Sequence, residues 1–204
     1  MSEDTPKDPK PPETFTQNVQ FSQVSARVPE KVAHGVHASA VLVLNGPNEF
    51  IVDFLQQMVH PPKVASRVVM NPQTLASFIR TLEENMGMFE NKFGPPTPLP
   101  GPPPGAKPTP IDEVYNQLKL PDEMLGGTYS NAVMITHSPS DFVFDFLATF
   151  YPRSVVGSRV FMSAQQVPSF LNTMKRAFQQ FIDNQNQQSG EGHNPHRIPP
   201  PGTN

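Results

Sequence analysis

The chain has 204 residues, of which 26 are proline and none is cysteine; 36% are apolar, and the formal net charge is −3. This excess of proline and shortage of apolar residues predicts compact parts joined and flanked by disordered segments. The absence of cysteine excludes a disulfide framework, a thiolate nucleophile and a cysteine-ligated metal, and the near-neutral charge gives no broad field for nucleic acid or anionic lipid.

In chain order, residues 1–13 are polar and proline-rich, with no apolar run of signal-peptide type, and predict a disordered tail. No stretch approaches the roughly 20 apolar residues that cross a bilayer, so the expected location is cytoplasmic. Residues 14–94 read as a first β-β-β-α unit. "TFTQNVQFSQVSARV" is a candidate additional N-terminal strand. Strand one covers Val36 to Leu44, a turn "NGPN" follows, and strand two covers Glu49 to Leu55. A proline-containing loop leads to strand three at Val64 to Met70. Leu75, Phe78, Ile79, Leu82, Met86, Phe89 and Phe93 then recur at helical spacing, and Asn71-Pro72 supplies an N-cap with proline at the first helical position.

Residues 95–110 form a proline-rich linker, and residues 94–110 hold nine prolines. As extended chain they reach roughly 50 Å at about 3.1 Å per residue. A short helix is predicted over 111–125, with Ile111, Val114, Tyr115 and Leu118 on one side. A second β-β-β-α unit spans 126–186, and residues 187–204 form a polar, proline-rich tail predicted to be disordered. In that unit Ser163 and Gln166 have capping-box spacing, while Pro168 would delay or bend the helix.

The two units are copies. Residues 35–93 align on 127–185 without a gap, and 18 of the 59 pairs are identical. "PNEFIVDFL" matches "PSDFVFDFL", "SRVVM" matches "SRVFM", and "SFIRTL" matches "SFLNTM". Ungapped similarity of this length implies duplication of one structural unit.

In strand two, Phe50, Val52 and Phe54 point to one face, and Ile51, Asp53 and Leu55 to the other. Both faces are largely apolar, yet one helix covers only one. A unit of about 60 residues is marginal alone, so the copies are expected to pair as a pseudo-dimer through sheet faces or edges, within one chain or between chains. A hairpin centred on His60, or on Pro152, places Asp53 opposite Arg67 and Asp145 opposite Arg159. The duplicated aspartates therefore read as structural ion pairs fixing strand register.

Other chemistry finds little support. A catalytic carboxylate pair would need Asp53 and Asp145 free of their arginines. His34 and His37 have ligand-like spacing, but Tyr129 replaces the second histidine in the other copy; His193 and His196 lie in the tail. No nucleophile elbow or phosphate-binding glycine loop occurs. Phe144, Phe146 and Phe161 lack the interleaved cations that would track a nucleic-acid backbone. "PLPGPPPG" and "IPPPG" resemble ligands of aromatic-lined grooves, although a solvated spacer is the plainer reading.

The run "GGTYSNAVMITHSPSDFVFDF", followed by "SRVFMSAQQVPSFL", resembles the bacterial domain-of-unknown-function family 3467, in two tandem copies similar to a planctomycete version. The family pattern runs Tyr-Ala-Asn, an aliphatic strand, His-Ser, an acidic-Phe-x-x-Asp-Phe block, then Arg-Val and a helix. The second copy carries it through Tyr129, Asn131, His137, Ser138, Phe142, Asp145, Phe146, Arg159 and Val160. The first keeps Phe50, Asp53, Phe54, Arg67 and Val68, and departs at His37, Ser39, Asn45 and Gly46. The resemblance implies the domain and no activity. A looser likeness is to the bacterial export chaperone architecture, at the level of fold alone.

The expectation is an α+β protein of two tandem β-β-β-α units, antiparallel sheets each with a C-terminal helix, acting as a non-enzymatic protein-interaction or assembly module. A chaperone-like holdase is the alternative, and a nucleic-acid or transcription-associated factor a further one. Neither catalytic residues nor a cofactor, metal, membrane or small-molecule site is predicted; a protein partner or self-association is.

Overall fold

A computed structural model describes residues 26–100, 105, 109–150 and 153–191. Among them are nine strands: β1 (Ala26–Arg27), β2 (Val36–Ala38), β3 (Ala40–Asn45), β4 (Phe50–Gln56), β5 (Lys63–Met70), β6 (Thr128–Tyr129), β7 (Ala132–His137), β8 (Asp141–Phe150) and β9 (Arg153–Ser163). The helices are α1 (Glu30–Ala33), α2 (Pro72–Phe93), α3 (Ile111–Gln117) and α4 (Val167–Glu191), with a 3-10 turn at Asp122–Met124. The protein is α+β and built from tandem units, but the units are not separate bodies.

The predicted first strand of each copy is two strands. In the first copy, β2 pairs in parallel with β9 of the second copy, Val36 opposite Val160 and Ala38 opposite Met162. The chain breaks at Ser39, and β3 then pairs antiparallel with β4 of its own copy. The second copy mirrors this. Its β6 pairs in parallel with β5 of the first, Thr128 opposite Val68, and β7 pairs with β8. One sheet therefore has the order β3-β4-β5-β6, and the other β1-β9-β8-β7 with β2 also on β9. Each copy lends an arm to the outer edge of its neighbour's sheet, which would otherwise present unpaired backbone.

The exchange begins upstream of the aligned repeat. Ala26 and Arg27 pair with Ser154 and Val155. Lys119, 92 residues after Arg27, bridges to Lys63, 92 residues before Val155. Only the last residues of the expected N-terminal strand are thus seen in a strand; the rest lie outside the described residues. The predicted helix over 111–125 is α3, a break at Pro121, and the 3-10 turn that mirrors α1.

The helices cross over as well. On α2, Phe78 meets Phe144 and Phe146 at 5.7 and 5.6 Å between ring centroids, and Phe89 meets Phe142 at 5.3 Å. On α4, Phe170 meets Phe54 at 5.6 Å and Phe181 meets Phe50 at 5.3 Å. Each helix therefore covers the sheet of the opposite copy, and the two helices touch through Phe78 and Phe170. Pairs related by the repeat meet on a pseudo-twofold axis: Phe54 with Phe146 at 5.4 Å, and Ser66 with Ser158, whose hydroxyls are 2.7 Å apart and buried.

Helix starts follow local chemistry. Asn71 Oδ1 accepts from Thr74 N at 2.8 Å, with Pro72 opening α2. In the second copy the expected capping box does not form. Instead Gln166 Nε2 donates to Ser39 O at 2.7 Å, across the pseudo-axis, and α4 begins at Val167. Pro168 then falls in the first turn, where its missing N–H costs no helical bond. Helix α4 continues to Glu191, past the predicted boundary at 186.

The Ser66–Ser158 contact yields a stability prediction. Ser66→Ala leaves a buried hydroxyl without its partner and should cost about 1 kcal/mol, whereas the double change to alanine should cost clearly less than twice that. Chemical denaturation of the three variants checks this; additive losses would show that the hydroxyls do not interact.

Candidate functional site

The face opposite the helices carries the duplicated aspartates. The hairpin register puts Asp53 opposite Arg67 and Asp145 opposite Arg159, with a bulge after Phe54 and after Phe146. Both pairs are bidentate: Arg67 Nε and Nη2 reach the Asp53 carboxylate at 2.7 Å each, and Arg159 reaches Asp145 at 2.6 and 2.8 Å. Hydrogen bonding to the aspartate raises each guanidinium's pKa above its ordinary value, against the opposing effect of burial.

Each arginine has a third partner. Arg67 Nη1 donates to Leu125 O, and Arg159 Nη1 to Ala33 O, both at 3.4 Å. These carbonyls lie 92 residues apart, one in each exchanged arm. The arm lies flat on the arginine because a glycine follows. Gly35 and Gly127 have φ of 61° and 64°, and a Cβ on either would come within 3 Å of the arginine Cγ. Side chains are strained on both grounds. The ion pair is thus a clamp for the arm of the other copy.

The clamps differ. Asp53 is fully buried and also accepts from Tyr115 Oη on α3, whereas Asp145 keeps a little exposure and Arg159 is 24% exposed. Burial first, and the bond to Asp53 second, push the Tyr115 phenol well above its usual range. Tyr115 had no sequence signal as a partner, since Gln23 occupies the equivalent position.

Two related clefts lie between each helix and the first full strand of the opposite copy, apart from a cavity of about 640 Å³ where the chain leaving α2 passes the β7–β8 turn. One cleft, of about 500 Å³, runs between α2 and β7 and is lined by Ser77, Phe78, Thr81, Asn131, Ala132 and Val133, with Tyr129 at its edge. Its pseudo-symmetric mate runs between α4 and β3. It is lined by Ser169, Phe170, Thr173, Ser39, Ala40 and Val41, each 92 residues from its counterpart, and holds about 180 Å³. The difference has a visible contributor: Leu99 of the proline-rich linker lies over the second groove.

The family-motif positions separate into roles. Tyr129 stands at the larger cleft, 46% exposed, its ring stacked on Phe150 at 6.0 Å and 10°. Asn131 makes two hydrogen bonds to the backbone of Thr149, at 2.7 and 3.1 Å, holding the strand at the cleft edge. In the first copy Ser39 serves there, accepting from Gln57 N at 2.9 Å. His137 packs among Phe89, Phe93 and Phe142, and Ser138 Oγ accepts from Asp141 N at 3.0 Å in the β7–β8 turn. Phe142 and Phe146 are core. Phe150 was not singled out from sequence; its alternation with buried residues beyond the bulge is irregular.

Among the described residues no group of three or more His, Asp or Glu gathers as a metal site, and no helix is long and apolar enough to cross a membrane. Fold and clefts together define an intrachain pseudo-dimer of exchanged α+β units with two related surface grooves. The family described as "Protein of unknown function (DUF3467)" matches residues 1–96 and again 102–191, and the chain belongs to it as two tandem copies. No curated protein matches the sequence.

The asymmetry of the clamps sets two expected outcomes. Asp53→Ala strands a buried arginine and should cost about 3–5 kcal/mol, and Asp145→Ala measurably less because water reaches Arg159; denaturant midpoints compare them. Tyr115→Phe should cost about 1 kcal/mol at neutral pH. The raised phenol keeps its stabilising proton below about pH 10 and loses that contribution as pH rises, because the unfolded chain ionises first. The gap between wild type and Tyr115→Phe should therefore shrink above that pH, as read by urea denaturation across the alkaline range.

Proposed function

We propose that the protein is a non-enzymatic protein-interaction module that takes an extended, proline-flanked aliphatic segment in the cleft between α2 and β7. The observation that carries this reading is Leu99 of "PTPLPGPPPG", which lies over the pseudo-symmetric groove. A polyproline-like strand offers carbonyl acceptors with few N–H donors. Serine, threonine and asparagine groups along the cleft supply the matching donors, and the stacked Tyr129 and Phe150 rings offer an apolar platform at its edge. A bacterial, cytoplasmic setting belongs to the same proposal.

The reading is tested with a synthetic peptide of residues 94–105 added to isotope-labelled protein. Amide shifts should move at Asn131, Ala132 and Val133, and Thr81→Trp, which fills the cleft, should abolish them. Shifts confined to the Leu99 groove, or none, would refute the proposal.

A further inference from the structure

We infer that the open edge of β7 takes the peptide as an added antiparallel strand, so that the ligand is recognised through its backbone. The inference rests on the peptide-binding reading above and specifies how the cleft holds the segment. Sheet topology supplies the first argument. In each sheet one side is closed by a short arm of the other copy. The opposite edge, β7 or β3, has no strand beyond it among the described residues. Exposed edges are normally blunted by charge or proline. Yet β7 reads "AVMITH" over Ala132–His137, without a lysine, arginine, acid or proline. The cleft of about 500 Å³ lies directly between this strand and the Ser77, Phe78 and Thr81 flank of α2.

Register supplies the second, because it says which backbone groups are free. Ser138 N donates to Asp141 O at 2.8 Å where β7 turns into β8. Opposed residues of an antiparallel ladder alternate between bonded and non-bonded pairs. Counting back through the register, Thr136 and Met134 bond to β8, while His137, Ile135 and Val133 turn their N–H and C=O groups toward the open edge. Among the described residues no loop or side chain bonds to the N–H of Val133 or Ile135. Their side chains lie beside Phe146 and Phe144, on the face that α2 covers.

The ligand's own pattern is the third. Residues 96–102 read "PTPLPGP", with proline at every second position around Thr97, Leu99 and Gly101. Only alternate residues of an added strand face its neighbour, and proline is tolerated on an edge where its missing N–H faces solvent. Thr97, Leu99 and Gly101 then present their N–H groups to β7, and the prolines close the new outer edge to further strands. Each of these residues also precedes a proline, which restricts it to extended backbone and lowers the ordering cost of docking. Residues that exchange bonds in an antiparallel pair share a face, so the peptide's Leu99 falls on the side of Val133, Ile135 and α2, within the cleft.

The experiment adds the 94–105 peptide and two derivatives to the isotope-labelled full chain. N-methylation at the peptide's Leu99 removes an inward donor and should weaken binding at least about tenfold. The Pro98→Ala peptide, whose new N–H faces solvent, should bind like the parent. On binding, amide exchange should slow at Val133 and Ile135 and stay unchanged at Met134 and Thr136, which β8 already protects. Shifts at Asn131, Ala132 and Val133 with equal binding of the N-methylated peptide, or with no slowing at Val133 and Ile135, would overturn strand addition and leave the peptide-binding reading standing. Absence of any shift in the cleft would sink both. Protection of Val133 and Ile135 in the free protein that fades on dilution would assign the edge to a second copy of the chain and overturn the inference.

Discussion

Arg67 and Arg159 hold the architecture together because each satisfies two demands at once. Each neutralises an aspartate that the hairpin has buried, and each donates to a carbonyl of the arm arriving from the other copy. A buried ion pair by itself is a weak source of stability, since desolvation offsets most of the attraction. Its value here lies in specificity. The arginine presents its remaining N–H where only a backbone running flat can meet it, and glycine at 35 and 127 lets the backbone do so. The arm then pairs with the edge of β5 or β9, and the chain is committed to crossing between sheets.

Once the arms cross, the rest follows from burial. Phe50 and Phe54 need cover on the helix side, and the opposite helix provides it because its own sheet lies across the axis. Neither copy closes a core alone. The interdigitated rings of Phe54, Phe146, Phe78 and Phe170 form one hydrophobic centre shared by both copies. A marginal unit of about 60 residues has thereby become half of a domain large enough to fold cooperatively.

Much of this was legible in sequence, and the part that was not has a definite cause. The register of Asp53 on Arg67 could be read because a charge in an apolar strand needs an opposed partner. The crossover could not be read from periodicity: Val36 to Leu44 is one continuous apolar run, and the switch at Ser39 involves a change of partner without a change of pattern. A signal did exist. "VPEKVAHG" at 28–35 and "LPDEMLGG" at 120–127 keep the offset of 92, with proline, an acid and the final glycine in place. Extending the repeat upstream would have marked the arm as part of the unit. The clefts were hidden because they lie between a helix of one copy and a strand of the other, and Tyr129 and Asn131 were reachable only through the family pattern.

Joining two copies in one chain frees each from symmetry. A homodimer must present two identical grooves, whereas this chain has altered them separately. At the larger cleft stands Tyr129, stacked on Phe150; their counterparts are His37 and Met58, and Met58 is 82% exposed. The clamp sequences have diverged as well: Tyr115, which donates to Asp53, aligns with Gln23 at the offset of 92. Substitutions between the copies also reach the core, as at Val52 and Phe144 or Leu82 and Met174, yet Phe54, Phe146, Ser66 and Ser158 on the axis are identical, because there each residue packs against its own copy and a change on one side is felt by the other. Identity persists where the copies meet themselves and along the groove linings, where Ser77, Phe78 and Thr81 match Ser169, Phe170 and Thr173, while Tyr129 against His37 and Asn131 against Ser39 set the two grooves apart.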